Sequence, residues 1–288
     1  MTTLTMLNEM AGSDFAAALQ THLEWGLRTL DLKGAIFGKS LLDLTDDEAA
    51  EAARLISRHG MNVHCFSTTL FHSEVELGEE EFRRTQLAGV TRAIELARIM
   101  HPRVIRLLGA QTHRRAQEAD SIAYLHREQP WVIPLYQEAV AMIAAAGFHT
   151  TIENEVGACI FSAPGEVLEF FTELACPDSA HFTWDVQNFW QCGTFPTLSV
   201  YQQLKPLIGY YHVKGGQVGD DGSALRWNSS LEDASWPVVE ITQQVVRDGV
   251  SPVICLNPSH GECKLGYDYS DIFRRDLEFL RRAIPEIV

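Results

Sequence analysis

Three side chains that can ligate a metal ion each follow an apolar, strand-forming run of the chain. The run TTI precedes Glu153, FTW precedes Asp185 and YY precedes His212. Carboxylates and imidazoles are ligands that hard and borderline divalent cations accept. A lone histidine is more often a core residue whose ring is satisfied by the backbone, but here two acids occupy matching positions. The pattern therefore indicates a site for one divalent cation built from successive strands.

Other polar residues stand where apolar runs end, and each by itself is typical of a turn or a helix cap. They are Asn8, Glu9, Asp31, Lys33, His64, Arg106, Asn154, Glu155, Asn188, Lys214, Asn257 and His260. So many metal-binding and acid/base side chains at equivalent positions favour one chemical site over a series of unrelated turns.

The elements that carry these side chains alternate along the chain. Segments of helical periodicity separate short runs rich in Val, Ile, Leu and Thr. The runs are TLTML, LRTLDL, MNVHCF, RVIRLL, FHTTIE, AHFTWD, YYHVK and PVICLN. About eight strand–helix units are expected of a (β/α)8 TIM barrel, whose active site lies at the carboxyl ends of the strands. A doubly wound open sheet is the alternative, but no GxGxxG follows the first strand. We predict an α/β fold with a single TIM barrel domain over residues 1–288.

Composition and charge exclude several classes of partner. The 288 residues are 46% hydrophobic and 21% charged, and the formal net charge is −15. Nucleic acids and anionic membranes both favour basic surfaces, so neither is an expected partner. The six cysteines form no CxxC pair. No apolar run is long enough to cross a membrane, and the N-terminus does not resemble a secretory leader, so the predicted location is the cytoplasm.

Five stretches of the chain stand in a distinctive order. They are LRTLDLKGAIFGKSLLDLTDDE, IENE, WDVQNFW, HVKGG and SLEDASWPVV. In this order and spacing they resemble the sugar phosphate isomerase/epimerase superfamily of xylose isomerase-like TIM barrels. The resemblance implies that a Glu, an Asp, a His and a second Glu hold one divalent ion. It also implies that the two glutamates move a proton between carbons of a sugar.

The resemblance implies roles for individual residues of this chain. Glu153, Asp185 and His212 take the places of metal ligands. Asn188 takes the substrate-facing position three residues after the Asp, and Lys214 the cationic position two residues after the His. Donors of this kind suit Mn²⁺ or Mg²⁺, with Zn²⁺ or Co²⁺ as alternatives.

One position departs from the family pattern. The last strand reads ICLNPSHG, so Asn257 stands where the second Glu is expected. An Asn carbonyl oxygen can ligate an ion, which keeps Asn257 as the fourth expected ligand, but it cannot act as a carboxylate base. His260 or Glu262 are alternatives that could fold back to compensate. The departure therefore counts against symmetrical epimerisation with two bases.

The candidates for proton transfer are Glu153, Glu155, Lys214 and His64. Glu153 serves as ligand and base together in the first alternative. Glu155 is the second, because the period of two along a strand keeps it on the same side as Glu153. Lys214 could polarise or protonate an oxygen, and His64 could act as an acid near neutral pH.

Residues of a second group are candidates for contacts with the substrate. They are Arg106, Asn188, Trp190, Arg226 and His260. The arginines would contact anions or hydroxyl groups, although a surface ion pair is the commoner fate of an arginine. The ring of Trp190 would form an apolar wall for a sugar, and packing beneath the loop that follows is the alternative.

These residues predict a metal-dependent isomerase or epimerase acting on a keto-sugar or related polyol derivative. A dehydratase or other carbon–oxygen lyase on a similar substrate is the enzymatic alternative, including elimination from a keto-glycoside. A degenerate barrel that binds a sugar without catalysis is the third hypothesis. A homo-oligomer is compatible with all three.

Overall fold

Eight parallel strands form the wall of a barrel in the computed structural model, which describes residues 2–220, 222, 225–226, 230–257 and 269–287. The strands are β1 (Thr3–Thr5), β2 (Thr29–Leu32), β3 (Asn62–Ser67), β4 (Val104–Leu108), β5 (His149–Glu153), β6 (Ala180–Asp185), β7 (Ile208–Val213) and β10 (Val253–Leu256). Their order in the sheet is β1, β10, β7, β6, β5, β4, β3, β2. A parallel bridge between Leu7 and Asp31 joins the two edges, so the barrel is nearly closed. The predicted TIM barrel is confirmed.

Helices fill the connections between the strands. They are α1 (Phe15–Glu24), α2 (Asp46–Arg58), α3 (Glu79–Phe82), α4 (Ala88–Met100), α5 (Ser121–Glu128), α6 (Val132–Ala145), α7 (Pro164–Leu174), α8 (Val186–Gln191), α9 (Leu198–Leu204), α10 (Val238–Asp248) and α11 (Tyr269–Ala283). A π-helical turn over Arg83–Leu87 joins α3 to α4. The helical periodicity of EEEFRRTQLAGVTRAIELARIM predicts one helix over the same residues. The short helices α5 and α8 were not predicted, and α10 begins only at Val238, after Pro237. In the described part of the chain, no helix has the length and apolarity needed to cross a membrane.

Local capping chemistry fixes where several helices begin and end. Thr45 accepts a hydrogen bond from the Glu48 backbone, and the Glu48 side chain accepts one from the Thr45 backbone, which forms a capping box for α2. Asp14 caps α1 by accepting from the Ala17 backbone at 2.8 Å. Gly249 ends α10 with a φ of 66°, a conformation that costs other residues energy. These signals are local, which is why the sequence predicts most helix boundaries.

The strands present alternate residues to the barrel interior and to the helices. On β7 the Tyr210 hydroxyl donates to Asp31 Oδ2 at 2.8 Å, across the interior. The hydroxyl of the next residue, Tyr211, lies 3.5 Å from Thr242 Oγ1 of α10, on the outside. The period of two therefore directs His212 inward with Tyr210.

A short antiparallel hairpin follows β7 and leaves the barrel wall. It consists of β8 (Gln217–Val218) and β9 (Leu225–Arg226). The loop after β7 thus carries structure of its own at the end of the barrel where the predicted site residues lie.

Asp276 is a buried acid that connects α11 to the segment before α10. Its side chain is 1% exposed, and Oδ1 accepts a hydrogen bond from the Leu231 backbone at 2.8 Å. Burial raises the pKa of Asp276 to about 7, because removal from water opposes ionisation more than this hydrogen bond favours it.

The raised pKa makes the stability of the fold depend on pH. The folded protein keeps the Asp276 proton up to about pH 7, whereas the unfolded chain loses it near the ordinary value of 3.8. The native state therefore binds more protons in this window, and this residue's contribution to stability is lost as the pH rises through it.

We expect Asp276→Asn, which keeps the oxygen acceptor, to remove this dependence. Relative to the parent, the variant's free energy of unfolding should rise by roughly 1–4 kcal/mol between pH 4 and pH 8. Urea unfolding at several pH values measures the difference. Asp271→Asn, an exposed position on the same helix, is the control. A difference independent of pH would contradict the prediction.

Candidate active site

Glu153, Asp185 and His212 come together at the carboxyl ends of β5, β6 and β7. One ligand atom of each lies within 4.8 Å of the others, and all three side chains are buried. His212 Nδ1 lies 2.9 Å from Glu153 Oε1 and 3.8 Å from Asp185 Oδ2. The structure thus brings together three of the four residues that the sequence selected as metal ligands.

Strand register produces this convergence. Asp185 pairs with His212 across β6 and β7, and Glu153 pairs with Thr183 across β5 and β6. Thr183 precedes Asp185 by two residues, so its side chain shares a face with Asp185. Each ligand candidate is therefore the last or nearly the last inward residue of its strand, where a barrel opens to substrate.

Two buried cations compensate the two carboxylates. Arg106 NH1 donates to Glu153 Oε2 at 2.5 Å, and Lys214 Nζ lies 2.7 Å from Asp185 Oδ2. Burial alone would raise the pKa of Glu153, but the charges of Arg106 and His212 outweigh it and hold that pKa well below its usual range. Burial lowers the pKa of Lys214, yet Asp185 and Glu155 raise it overall. The Glu153 carboxylate is therefore ionised and Lys214 is charged.

The ring of His212 is fully buried and lacks hydrogen bonds. Neither ring nitrogen has a hydrogen-bond partner among the described residues, although Nδ1 lies 2.9 Å from Glu153 Oε1. Burial alone would lower the pKa of His212, but the adjacent carboxylates of Glu153 and Asp185 raise it to about 9. Buried polar atoms without partners are uncommon. An imidazole nitrogen facing two carboxylates is a donor set that fits a divalent cation.

Asn154 holds the backbone of Asp185, a role that the sequence does not predict. Its Nδ2 donates to the Asp185 carbonyl at 2.8 Å, and its Oδ1 accepts from the Asp185 amide at 2.9 Å. The side chain, 1% exposed, thereby extends the pairing of β5 with β6 by one step beyond the end of β5. The only signal in the sequence is an amide between two acids at the end of an apolar run.

Asn188 connects the cluster to Glu155. Its backbone amide donates to Asp185 Oδ1 at 2.9 Å, so Asp185 is also the N-cap of α8. Its side-chain Nδ2 donates to Glu155 Oε1 at 3.1 Å, and its Oδ1 accepts from Lys214 Nζ at 3.4 Å. Glu155 is thus adjacent to the cluster without belonging to it.

Arg106 and His64 have partners within the protein. Arg106 donates to the Thr68 carbonyl as well as to Glu153, and it is buried. The ring of His64 packs edge-on against Tyr210 with centroids 4.9 Å apart. Burial lowers the pKa of His64 to about 4, so the neutral ring dominates at neutral pH and is poorly suited to deliver a proton. The contacts of Arg106 favour orientation of Glu153 over contact with a substrate.

Trp190 packs against Trp236 in the loop after β7. Their rings are stacked with centroids 6.4 Å apart, and the Trp236 indole donates to the Lys214 carbonyl at 3.0 Å. Gly216 permits this packing, since a Cβ there would lie 2.5 Å from the Trp236 ring. The motifs WDVQNFW, HVKGG and SLEDASWPVV therefore pack against one another, and Trp190 stays half-buried.

The remaining predicted site residues follow β10 or belong to the hairpin after β7. Asn257 is 4% exposed, its amide donates to the Val213 carbonyl at 3.1 Å, and its Oδ1 accepts a weak hydrogen bond from Cys255 Sγ at 3.6 Å. His260 and Glu262 lie outside the described residues, as does the side chain of Arg226. Their predicted roles stay predictions.

Comparisons with known proteins place these residues in a wider context. The family described as xylose isomerase-like TIM barrel matches residues 23–283 of the chain. No curated protein sequence is similar enough to match.

Solved structures of the same fold are similar over nearly the whole chain. The probable 3-DHS dehydratase AsbF of Bacillus anthracis, involved in petrobactin synthesis, is 15% identical with a TM-score of 0.72, covering 97% of this chain and 98% of that one. D-psicose 3-epimerase of Clostridium cellulolyticum H10, solved with D-tagatose, is 11% identical with a TM-score of 0.71, covering 99% of both. A xylose isomerase-like TIM barrel protein of Mycobacterium smegmatis, solved with magnesium, is 16% identical with a TM-score of 0.66, covering 98% and 97%. At these identities the likeness shows the fold.

The Asn154 contacts generate a prediction about stability. Asn154→Ala leaves the buried amide and carbonyl of Asp185 without partners, at a cost of roughly 1–3 kcal/mol each. We expect the free energy of unfolding to fall by about 2–6 kcal/mol in urea titrations. Asn62→Ala, at an exposed position on β3, is the matched control and should change it little. Equal losses in both variants would show that the Asn154 side chain does not hold Asp185.

Proposed function

Because the chain belongs to the xylose isomerase-like TIM barrel family, we propose that it is a metal-dependent isomerase or epimerase of a keto-sugar or related polyol derivative. The observation that carries this proposal is the buried cluster of Glu153, Asp185 and His212. In the part of the chain that the structure describes, the two ring nitrogens of His212 have no hydrogen-bond partner. An epimerase of ketoses and a magnesium-containing barrel among the structural neighbours support it.

Glu153, Asp185 and His212 would hold the ion through two carboxylates and one imidazole. Mn²⁺ or Mg²⁺ suits this set best, and Zn²⁺ or Co²⁺ are alternatives. When bound, such an ion acts as a Lewis acid that makes a C–H bond next to a carbonyl group more acidic. Arg106 would orient Glu153 by holding its second carboxylate oxygen.

Glu155 is the base that the geometry favours. Both oxygens of Glu153 are engaged, one by Arg106 and the other beside His212, which suits a ligand better than a base. Among the described residues, Asn188 joins Glu155 to the cluster by a hydrogen bond. It would remove the proton at the carbon next to the substrate carbonyl, and Asn188 would fix the orientation of its carboxylate.

Lys214 would act on the oxygen side of the reaction. Its ammonium group is held between Asp185 and Asn188, and it is 9% exposed. A fixed cation in a water-poor site stabilises negative charge that develops on a substrate oxygen. Lys214 therefore complements Glu155: the carboxylate takes the proton while the ammonium compensates the developing charge.

The absence of a carboxylate at Asn257 supports one reaction type over another. A single base can return its proton to the same face of the substrate, as in isomerisation between neighbouring carbons. Inversion at one carbon needs a second acid on the opposite face, and the amide of buried Asn257 is too weak an acid for that role. Isomerisation is therefore favoured over two-base epimerisation.

Elimination is the second candidate function, and the same residue favours it. A β-elimination from a keto-sugar needs one base and loses water or an alkoxide, so it does not require the second glutamate. The probable dehydratase among the structural neighbours adds support. A neutral Asn257 beside the site is compatible with either reaction.

Metal binding tests the ligand set. Glu153→Gln and Asp185→Asn each remove one anionic donor while keeping the side-chain size, so the affinity for Mn²⁺ should fall by about tenfold or more. Glu155→Gln should bind Mn²⁺ like the parent. Isothermal titration of the metal-free proteins measures the affinities. Unchanged affinity in both ligand variants would exclude these carboxylates from the site.

Incubation with candidate keto-sugars in deuterium oxide tests the reaction type. Isomerisation should add deuterium with no other change in composition, because the base exchanges its proton with solvent. Loss of water or an aglycone in the mass spectrum would establish elimination instead. Glu155→Gln should lower either rate by roughly 10²–10⁴-fold while retaining metal. No conversion by the Mn²⁺-loaded parent across a panel of keto-sugars would favour the degenerate barrel.

A further inference from the structure

We infer that Asp31 is a positioning residue for His212. A carboxylate oxygen of Asp31 accepts a hydrogen bond from a ring N–H of His212 across the barrel interior. This inference rests on the proposed function, since it concerns the ring nitrogen of His212 that the metal does not use. It assigns a role to a carboxylate that lies outside the proposed ligand set.

Of the two carboxylate oxygens of Asp31, one accepts a hydrogen bond and the other has no partner among the described residues. Asp31 lies on β2 with no solvent exposure, and Oδ2 accepts from the Tyr210 hydroxyl at 2.8 Å. Oδ1 has no hydrogen-bond partner within the described residues. A buried carboxylate oxygen without a donor is costly, so a donor is expected nearby.

His212 supplies the complementary group. Its Nδ1 faces Glu153 and Asp185, which leaves Nε2 as the nitrogen free to carry the ring proton. Nε2 also lacks a partner among the described residues. A carboxylate oxygen of Asp31, a ring nitrogen of His212 and Cys255 Sγ lie within 4.8 Å of one another. An unused acceptor and an unused donor therefore occupy the same buried layer.

The chemistry of metal-binding histidines explains the pairing. A histidine that ligates through one nitrogen generally donates its other N–H to a carboxylate or carbonyl, which fixes the tautomer and the orientation of the ring. Cys255 is the competing neighbour, but a thiol is a weak acceptor. Cys255 also packs in an apolar cluster with Cys65 and Tyr210. Asp31 is the stronger partner for Nε2.

Tyr210 determines which oxygen of Asp31 is available to His212. It lies two residues before His212 on β7, so both side chains enter the interior from the same strand. The Tyr210 hydroxyl engages Oδ2 of Asp31, which leaves Oδ1 available for His212. A ligand on β7 is thereby oriented by a carboxylate on β2, and correct metal geometry depends on contact across the barrel.

Cobalt binding and nitrogen NMR test the inference. Asp31→Ala should weaken Co²⁺ binding by about 10–100-fold and shift the visible absorption bands of the bound ion, because the ring loses its orientation. Asp31→Asn retains an oxygen acceptor and should restore part of the affinity. Asp47→Ala, at an exposed position on α2, is the control and should match the parent. In the Zn²⁺-loaded parent, ¹H–¹⁵N spectra should place the His212 proton on Nε2.

The outcomes separate this inference from the proposed function. If Glu153→Gln and Asp185→Asn lose Co²⁺ while both Asp31 variants keep the parent's affinity and spectrum, the role of Asp31 is wrong and the metal site stands. If the parent binds no Co²⁺, the proposed function fails and this inference fails with it. A His212 proton on Nδ1 overturns the inference without any variant. Two Co²⁺ per chain, reduced to one by Cys255→Ser, also overturns it by placing an ion where the hydrogen bond should be.

Discussion

Two carboxylates, Glu153 and Asp185, are buried inside the barrel, and the arrangement of the site follows from the need to compensate their charge. An ionised group removed from water is stable only when charges and hydrogen bonds nearby replace its hydration. Arg106 and Lys214 supply one cation to each carboxylate at ion-pair distance. Loss of either cation would leave an uncompensated charge in the interior, so these residues are structural as well as functional.

The same constraint explains why the barrel interior changes character along its axis. Cys65, Tyr210 and Cys255 form a small cluster in the interior that packs against Val104 and Val253. Toward the carboxyl ends, hydroxyl pairs such as Thr151 with Thr183 are followed by the charged layer. Branched aliphatic residues commonly fill a TIM barrel interior. Here polar side chains take the place of aliphatic ones at the end of the barrel where substrate and metal would enter, so this layer has less apolar packing and more groups that can bind or react.

The site also shows how one residue can serve several levels of structure. Asp185 ends β6, caps α8 and forms part of the proposed ligand set. Asn154 fixes its backbone, and Asn188 binds its carboxylate and extends the network to Glu155. Each contact restricts the rotamers available to the next residue. Such restriction reduces the reorganisation needed when a substrate or ion binds.

The sequence by itself determined the barrel, most of its helices and the residues selected as ligands. These features depend on local periodicity, on capping residues and on the rule that functional side chains follow the carboxyl ends of parallel strands. The short helix α8 escaped prediction because six residues carry too little periodicity.

Only the tertiary structure decided which side chains neutralise, orient or isolate the predicted ligands. The contact of Asp31 with Tyr210 spans 179 positions in sequence, and that of Arg106 with Glu153 spans 47. The residue types show that buried polar side chains need hydrogen-bond or ion-pair partners, but they do not show which residues those partners are. The neutral state of His64 likewise follows from burial against Tyr210, a consequence of barrel closure. Side-chain partners across a barrel are fixed by register and packing, and one strand's sequence encodes neither.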